Sequence, residues 1–507
     1  MDRSVAQGRG RTALDRSEPA WLDHLPSALI GAALVAIALA AYWLPGSVRF
    51  YNHFVWQAIA FLHGQAAITW PVPGNDFFQD VLPIRDANGT LTGYGLLPFP
   101  PLPAIVLMPV VAIYGLATNE RAVSVVIGAL DVGLCWWALG HLPVSRLVRL
   151  AVTIFFGFGT VAWYAAGLGT TWFLAHVVSL APAFLAVGLA LGGDHAFEAD
   201  AEPDATTRER SAGGEGARPD GPAPLFRAIR EALGGALSDL RLGLGAPLGL
   251  LSGRQVVAGF FFGLACTARL TIVFGAPFFM FVGGGSFARR SISAGLGAIV
   301  PIGALLAYNV ATTGNLIHPG YDYLYHLEAS GYAALGYHPA WSIEDLRYVP
   351  QNLGIMFLST PAILPSHALD AFGGAGDPLC TAAGSARGLF DPACPTALPR
   401  AIGMSLILTS PAYLYVLPAL SRLRRSRLVA GCTLAVVAIA FVNLMHFSQG
   451  WVQFGYRFSN DFVVFALPLV ALGISRRGGV GLLAAWLVGI SVAINFWGVT
   501  WGNLLGW

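Results

Sequence analysis

Long apolar runs constrain the fold of this chain more than any other feature of its sequence. Segments 25–44, 123–139 and 428–445 each approach the ~20 apolar residues that an α-helix needs to cross a hydrocarbon core of about 30 Å. Only 11% of the 507 residues are charged, whereas soluble globular proteins carry roughly 25%. The sequence therefore predicts an all-α polytopic membrane protein.

The charged residues and short motifs exclude several classes of function. All 29 permanently basic side chains are arginine, and they are scattered over short loops, so no basic patch for nucleic acid is present. The sequence contains no HExxH, no CxxC pair, no P-loop and no GxGxxG after a predicted strand, which are patterns of zinc and nucleotide sites. We therefore expect no nucleic-acid partner and no soluble nucleotide chemistry.

The placement of arginine predicts the orientation, because Lys and Arg concentrate in cytoplasmic loops. The N-terminal tail is rich in arginine, so we place it in the cytoplasm and take the apolar run after it as an uncleaved anchor. If Pro100 to Tyr114 crossed the membrane, Arg146, Arg149 and a charged insert at 194–254 would lie outside, against this bias. We therefore interpret 100–114 as a juxtamembrane or re-entrant helix.

This orientation divides the chain into regions. We predict a cytoplasmic tail (1–24), a transmembrane core (25–310) and an extracytoplasmic loop (311–399), followed by C-terminal transmembrane helices (400–507). Within the core, 47–121 is the first extracytoplasmic loop, and 194–254 is a cytoplasmic insert whose mixed polar composition favours disorder. About eleven spans are predicted, each near the length that crosses a bilayer, at 25–44, 122–140, 147–165, 172–192, 255–268, 270–286, 291–310, 400–420, 428–446, 461–475 and 480–500.

The cysteines bear on the same orientation. Cys380 and Cys394 both lie in the loop that we place outside, where an oxidising compartment allows a disulfide. The alternative is a pair of free thiols. The other three cysteines fall within predicted spans, where they act as small apolar residues.

Acidic residues concentrate in the first outside loop. Residues 51–62 predict an amphipathic helix on the bilayer surface. The loop that follows carries Asp76, Asp80 and Asp86 near the lipid interface, where a general base can meet a lipid-borne substrate. Each of them can instead be a solvated turn residue, and Asp86 opens the turn sequence Asp-Ala-Asn-Gly. A divalent cation held by Asp76 and Asp80 is a further alternative, and we assign no metal ligands.

Other polar groups map to the same outer face from distant parts of the sequence. Arg457 presents a fixed fork of donors suited to a phosphate arriving from the membrane, although an interfacial anchoring belt is the alternative. Asp131 lies in the middle of a span, where it is either functional or packed in a protonated or hydrogen-bonded form. We expect substrate contacts from His176, Tyr308, Asn309, Tyr321, Tyr456 and Asp461.

The order of several short motifs resembles a known family. The pieces are Leu62-His-Gly64, the Pro-rich element Tyr94 to Ala104, Gly263-Leu-Ala-Cys-Thr-Ala-Arg269, a Tyr-Asn…Gly-Asn element from Tyr308 to Asn315, and Gly455-Tyr-Arg-Phe-Ser-Asn-Asp461. Together they resemble the polytopic GT-C glycosyltransferases, and more narrowly the bacterial mannosyltransferase-like members that use lipid-phosphate sugars. The likeness covers most of the chain except 194–254.

The resemblance implies a GT-C-type helical bundle in the bacterial cytoplasmic (inner) membrane, with an active site facing outside. It implies a polyprenyl-phosphate-linked sugar as donor, a glycan, lipid or protein as acceptor, and an aspartate of the first outside loop as base. Asp80 matches this base best, and Asp76 competes with it. Arg457 and Arg269 would then stabilise the leaving lipid phosphate, and the sugar carbon would be inverted.

Two rival functions fit parts of the same pattern. A transporter or flippase of a lipid-linked or anionic substrate would also need many spans, and it would depend on mid-bilayer groups such as Asp131. The sequence shows no internal repeat of the kind that many transporters carry. An enzymatically silent assembly partner is the third hypothesis, and Asp80 with Arg457 argues against it.

Overall fold

The computed structural model describes residues 22, 24–44, 52–75, 77–193, 251–327, 338, 340–369, 375–450 and 452–507. Within these ranges the chain is mostly helical, as the apolar runs predict. The tail, most of the insert at 194–254 and Asp76 lie outside the described residues, so their predicted roles remain predictions.

The helices follow the predicted spans closely in position. They are α1 (Ser27–Trp43), α2 (His53–Leu62), α3 (Leu102–Tyr114), α4 (Glu120–Leu139), α5 (Arg146–Gly159), α6 (Ala162–Leu168), α7 (Thr171–Leu191), α8 (Gly253–Cys266), α9 (Pro277–Phe281), α10 (Phe287–Thr313), α11 (Gly320–Leu327), α12 (Val349–Leu358), α13 (Leu406–Thr409), α14 (Val416–Leu420), α15 (Arg427–Met445), α16 (Ser459–Arg476) and α17 (Leu482–Leu504). Short 3₁₀ turns occupy Gly115–Ala117, Leu270–Gly275, Leu346–Tyr348 and Pro411–Tyr415.

Within the described part of the chain, six helices are long and apolar enough to cross a membrane, namely α4, α7, α10, α15, α16 and α17. Helices α5 and α6, bent by 48° at the break between them, make a seventh if they count as one span. The other predicted spans correspond to the shorter helices α1 and α8 and to broken helical segments around 270–281 and 406–420. The chain is therefore a multi-pass membrane protein, and the total of about eleven spans remains a prediction.

The segment on which the orientation depends forms a short helix. Helix α3 has 13 residues, whereas a span needs about 20. Pro103 stands in its first turn and Pro109 in its interior. Its length agrees with the interpretation as a juxtamembrane or re-entrant helix. Helix α2, which was predicted to be amphipathic, buries Phe54, Val55 and Ala58 on one face.

Serine N-caps and arginines mark one end of the helical bundle. The hydroxyls of Ser145, Ser252, Ser286 and Ser426 each accept a backbone N–H in the first turn of α5, α8, α10 and α15, which satisfies a donor that the helix leaves free. Arginines follow each cap within the next four residues, and Arg476 ends α16 at the same side. The arginine groups that defined the predicted cytoplasmic side thus mark a common end of these helices.

Short β-strands occupy the loops at the opposite end, which corrects the expectation of a purely helical chain. Strands β1 (Ile68–Thr69), β2 (Leu82–Arg85) and β3 (Leu91–Leu96) form an antiparallel sheet in the order β1-β3-β2. Between β2 and β3, the Asp86 carboxylate accepts the N–H groups of Asn88 and Thr90 at 2.9 and 2.8 Å. This turn brings two extended segments side by side, and the sheet fixes the residues just before β2.

The loop before the last helices contains two further antiparallel strand pairs. Strand β4 (Ala362–Ile363) pairs with β7 (Ala397–Leu398), and β5 (His367–Leu369) pairs with β6 (Ala375–Pro378). A disulfide joins Cys380 to Cys394 between these strands.

Helices α7 and α16 form the centre of the bundle and are the most buried of the spanning helices. Beside them, α8 and α10 pack so closely that a Cβ at Gly259 or Gly297 would overlap the backbone of the facing helix. Both central helices begin at the end that carries the β-strands. The first turns of α7 and α16 therefore lie deep in the protein near its loop-covered face.

Candidate active site

A cavity of about 430 Å³ opens at the end of the bundle opposite the arginine groups. Its walls come from the loop before β2, the first turn of α7, the residues after α8, α10 and α15, and the segment before α16. Six elements thus contribute their ends or adjoining residues to one space, which explains why polar residues distant in sequence meet there. Four of the predicted site residues line it, namely Asp80, Arg269, Tyr321 and Arg457.

Asp80 is held in an uncommon backbone conformation. Its φ is +59°, in the left-handed region that residues other than glycine rarely adopt. The indole N–H of Trp172 donates to a carboxylate oxygen of Asp80 at 2.8 Å. Such a conformation persists when its surroundings determine it, and it is common at functional sites.

His53 of α2 fixes the segment before Asp80. Its ring nitrogens Nε2 and Nδ1 lie 2.9 Å from the Gln79 carbonyl oxygen and the Thr171 hydroxyl, respectively. Burial lowers the pKa of His53 to about 4, so the ring is neutral at pH 7. Because a carbonyl only accepts, Nε2 carries the proton and donates to Gln79, and Nδ1 accepts from Thr171. The ring thereby ties the Asp80 loop to the first turn of α7.

Arg269 and Asp461 form a buried, two-bond ion pair at the base of the cavity. Arg269 donates through Nε and Nη2 to the two Asp461 oxygens at 3.1 and 3.0 Å. Thr271 and Asn443 donate to the same carboxylate at 2.8 and 3.2 Å, and His176 Nδ1 lies 2.9 Å from it. Asp461 is fully buried and lies behind the cavity wall. It therefore positions Arg269, whose side chain is 21% exposed.

Arg457 provides a second guanidinium on the same wall. Its Cζ lies 5.0 Å from the ring centre of Phe458, and the Cζ of Arg269 lies 5.5 Å from the same ring. Gly450 makes room for it, since a Cβ there would come within 2.6 Å of Arg457 Cζ. Two cationic groups beside one aromatic ring suit an anionic ligand such as a phosphate.

Tyr321 enters the cavity from α11 and is near charges of both signs. Burial raises the pKa of Tyr321, the carboxylates of Asp80 and Glu344 raise it further, and Arg269 opposes them. Its ring also lies 6.3 Å from that of Phe99. The phenol is therefore neutral at physiological pH and can donate a hydrogen bond.

The other predicted substrate contacts lie outside the cavity. The Tyr308 hydroxyl accepts from Gln57 at 3.3 Å, and the Asn309 amide donates to the Leu316 carbonyl at 2.8 Å. Tyr456 is fully buried, and His176 is fully buried against Asp461. These residues support the walls, and a direct substrate contact by any of them remains a prediction.

The structure adds residues that the sequence did not single out. Glu344 lines the cavity beside His446, and His53 fixes the Asp80 loop. Glu344 stands in a polar loop with no motif around it, so no local pattern distinguishes it. Among the described residues, no three His, Cys, Asp or Glu side chains are grouped as metal ligands.

No protein-family model and no curated protein matches the sequence. The structure is similar to the crystal structure of the Archaeoglobus fulgidus oligosaccharyltransferase in the apo form, with a TM-score of 0.34 and 13% sequence identity. The match covers 94% of this chain and 55% of that chain, so the chain spans about half the length of that protein.

Proposed function

We propose that this protein is an inverting membrane glycosyltransferase that moves a sugar from a polyprenyl-phosphate donor to an acceptor outside the cytoplasmic membrane. The observation that carries the proposal is the common cavity of Asp80, Arg269 and Arg457. A carboxylate and two guanidiniums in one space are the groups that this reaction needs. The chain is a multi-pass membrane protein, so a lipid-linked donor can reach the site from the bilayer.

In the proposed reaction, Asp80 accepts the proton of an acceptor hydroxyl as the acceptor oxygen attacks the anomeric carbon of the donor sugar. A positioned general base of this kind contributes roughly 10²- to 10⁴-fold. A new bond forms between the acceptor oxygen and the anomeric carbon while the bond from that carbon to the phosphate oxygen breaks. The electron pair goes to the phosphate, and the anomeric configuration inverts.

Arg269 and Arg457 stabilise the phosphate that leaves. Donors that are already in place where negative charge develops need no rearrangement during the reaction. The ion pair with Asp461 fixes the orientation of Arg269, and Phe458 packs beside both guanidiniums. The leaving group then remains lipid-anchored and returns to the bilayer.

Asp80 is preferred as the base over Asp76. It lines the cavity, and its backbone is held by the contacts of Trp172 and His53. Asp76 lies outside the described residues and stays an alternative. The arginines support a site that faces outside. They gather at the end of the helices opposite the cavity, and arginine concentrates in cytoplasmic loops.

A transporter or flippase is the second candidate, and one observation favours it. The carboxylate of Asp131 in α4 is 1% exposed and has no hydrogen-bond partner among the described residues. Ionisable groups inside a membrane span often serve transport. The two functions differ in which carboxylate they need, since Asp80 lies at the end of the bundle and Asp131 in the middle of a span.

The test is sugar transfer from a panel of radiolabelled polyprenyl-phosphate sugars into membranes that contain matched amounts of each protein. We expect Asp80→Asn to lose transfer, and the matched variants Asp86→Asn and Asp131→Asn to keep it within about twofold of the wild type, because neither group contacts the cavity. Transfer that is lost in Asp76→Asn and kept in Asp80→Asn would move the base to Asp76. Absence of transfer from every donor, together with substrate movement that depends on Asp131, would replace the proposal with transport.

A further inference from the structure

The walls of the cavity differ in charge and in exposure to water. Arg269 and Arg457 form one wall, and the Arg269 side chain is 21% exposed. Glu344 and Asp322 also line the cavity, with side chains that are 47% and 74% exposed. The cavity thus has a cationic part that is largely shielded from solvent, its base, and an anionic part that faces water, its entrance.

Glu344 and His446 form a pair at this entrance. The His446 Nδ1 atom lies 3.3 Å from Glu344 Oε1. Their backbones form an antiparallel bridge, with hydrogen bonds from Asp345 N–H to the Met445 carbonyl at 2.8 Å and from Phe447 N–H to the Ile343 carbonyl at 2.9 Å. The two side chains are therefore held by main-chain hydrogen bonds, although they come from segments about a hundred residues apart.

Buried amides fix the His446 segment from behind. The amide of Asn352, which is fully buried, donates to the carbonyls of Leu444 and His446 at 2.8 Å each. Asn443, in the same segment, donates to Asp461 of the Arg269 ion pair. The anionic entrance and the cationic base thus share one rigid segment, so their separation is set by the fold.

We propose that Glu344 and His446 form the acceptor subsite and that the acceptor is a carbohydrate. This inference rests on the proposed function and names its acceptor class. Carboxylate and imidazole atoms accept hydrogen bonds from hydroxyl groups, and a neutral polyol carries several of them. The same carboxylates repel the anionic donor phosphate, which leaves that phosphate to the arginines.

The exposure of the entrance favours a sugar over a lipid or a protein hydroxyl. A lipid alcohol needs an apolar path to the attacking position, whereas Glu344 and Asp322 present charge to water. A serine or threonine side chain brings one hydroxyl. The entrance offers hydrogen-bond-accepting atoms on Glu344, Asp322 and His446, which is more than one hydroxyl can use.

The experiment measures initial transfer rates with a fixed donor and three acceptor probes: a hexose trisaccharide, a threonine-containing peptide and a dispersed diacylglycerol. We expect transfer to the trisaccharide. The KM for the trisaccharide should rise about tenfold or more in Glu344→Gln and in His446→Gln, because each variant loses hydrogen bonds to a charged or polar partner. The KM for the donor should not rise in either variant, because no attraction to the phosphate is lost, and the slow release of sugar to water without acceptor should persist.

Asp377→Asn provides the matched control, because Asp377 is an exposed carboxylate in β6 and does not line the cavity. Donor hydrolysis by the same variants reports that they are folded. The inference would be overturned by an unchanged KM for the trisaccharide in both variants, or by transfer to the peptide or diacylglycerol alone. In either case, turnover of the donor would still support the proposed function. Absence of donor turnover in the wild type would instead reject the proposed function itself.

Discussion

Arg269 and Asp461 meet through two parallel hydrogen bonds although they lie 192 residues apart in the chain. Each residue ends one of the short motifs in the sequence, Gly263 to Arg269 and Gly455 to Asp461. The structure therefore brings together two motifs, each of which is too short to indicate a function by itself. Their contact places one guanidinium at the base of the cavity and gives the second motif a supporting role through Asp461 as well as a direct one through Arg457.

Replacement of Asp461 by Asn should destabilise the protein and misplace Arg269. Removal of one partner from a buried ion pair leaves the other uncompensated, at a cost of about 3–5 kcal/mol. We expect a lower unfolding temperature in detergent and a loss of sugar transfer. Asp377→Asn is the control, since this exposed carboxylate lies in β6 and does not line the cavity. Equal stability of Asp461→Asn and the wild type would contradict the structural role of the pair.

Replacement of Arg457 should slow catalysis more than it weakens folding. We expect Arg457→Ala to lower kcat about 10²- to 10³-fold, as the removal of a charge-stabilising donor does. Arg457→Lys should retain part of the rate, because lysine keeps the charge and loses the planar fork of donors. Steady-state rates with a labelled donor provide the measurement. Substitution of Arg400, an exposed arginine that does not line the cavity, by lysine provides the control. Wild-type rates in Arg457→Ala would remove it from the phosphate site.

The stability of the protein should fall as pH is lowered from about 6.5 to about 4. His53 is neutral in the fold because burial lowers its pKa to about 4, while in the unfolded chain it takes up a proton near its ordinary value of 6.5. The stabilisation is therefore complete above the unfolded pKa and is lost as protons bind the unfolded state, by an amount on the order of 3 kcal/mol.

The check compares unfolding temperatures of wild type and His53→Gln between pH 7.5 and 5. The slope should be smaller in His53→Gln, because the glutamine amide can still donate to the Gln79 carbonyl but does not titrate. Some slope should remain, because burial also lowers the pKa of His318 to about 4. Identical slopes in the two proteins would rule out the neutral buried state of His53.

The thiol count should report on the side of the membrane that carries the loop of residues 311–399, which we predict to lie outside. Of 5 cysteines, Cys135, Cys266 and Cys432 are free and Cys380 is bonded to Cys394. Intact cells are first treated with an alkylating agent, and the denatured protein is then labelled with a maleimide polymer. The two labels on Cys380 and Cys394 should appear only when a reductant is added before the polymer. Cys380→Ser should abolish this dependence on reductant. Two additional free thiols before reduction would place the loop in a reducing compartment.

Much of the helical framework could be predicted from local sequence. The apolar runs set the positions of α4, α7, α10, α15, α16 and α17. The Pro-rich segment 100–114, which was predicted to be helical, contains α3, and its juxtamembrane or re-entrant placement remains a prediction. The local sequence Asp-Ala-Asn-Gly also predicted the turn at Asp86. The strands β1, β2 and β3 around that turn were missed, and β1 pairs with β3 across about 25 residues, beyond the reach of a local pattern.

The site was harder to predict, since its geometry comes from contacts between distant segments. Asp461 was expected to bind substrate, and it faces Arg269 behind the wall. Glu344 was missed, because its role at the cavity follows from pairing with His446. Asp80 could be proposed as a candidate base from its position in the loop. Its hydrogen bond with Trp172 could not be predicted, because the two residues are far apart in the sequence.

The left-handed backbone at Asp80 limits which substitutions can separate chemistry from structure. Asparagine tolerates this conformation nearly as well as aspartate does, and the longer acid glutamate tolerates it poorly. A variant that preserves the acidity can therefore disturb the loop more than a variant that removes it. Failure of Asp80→Glu to restore activity would then report on the shape of the main chain, and the neutral, near-isosteric Asn becomes the replacement from which the contribution of the carboxylate is read.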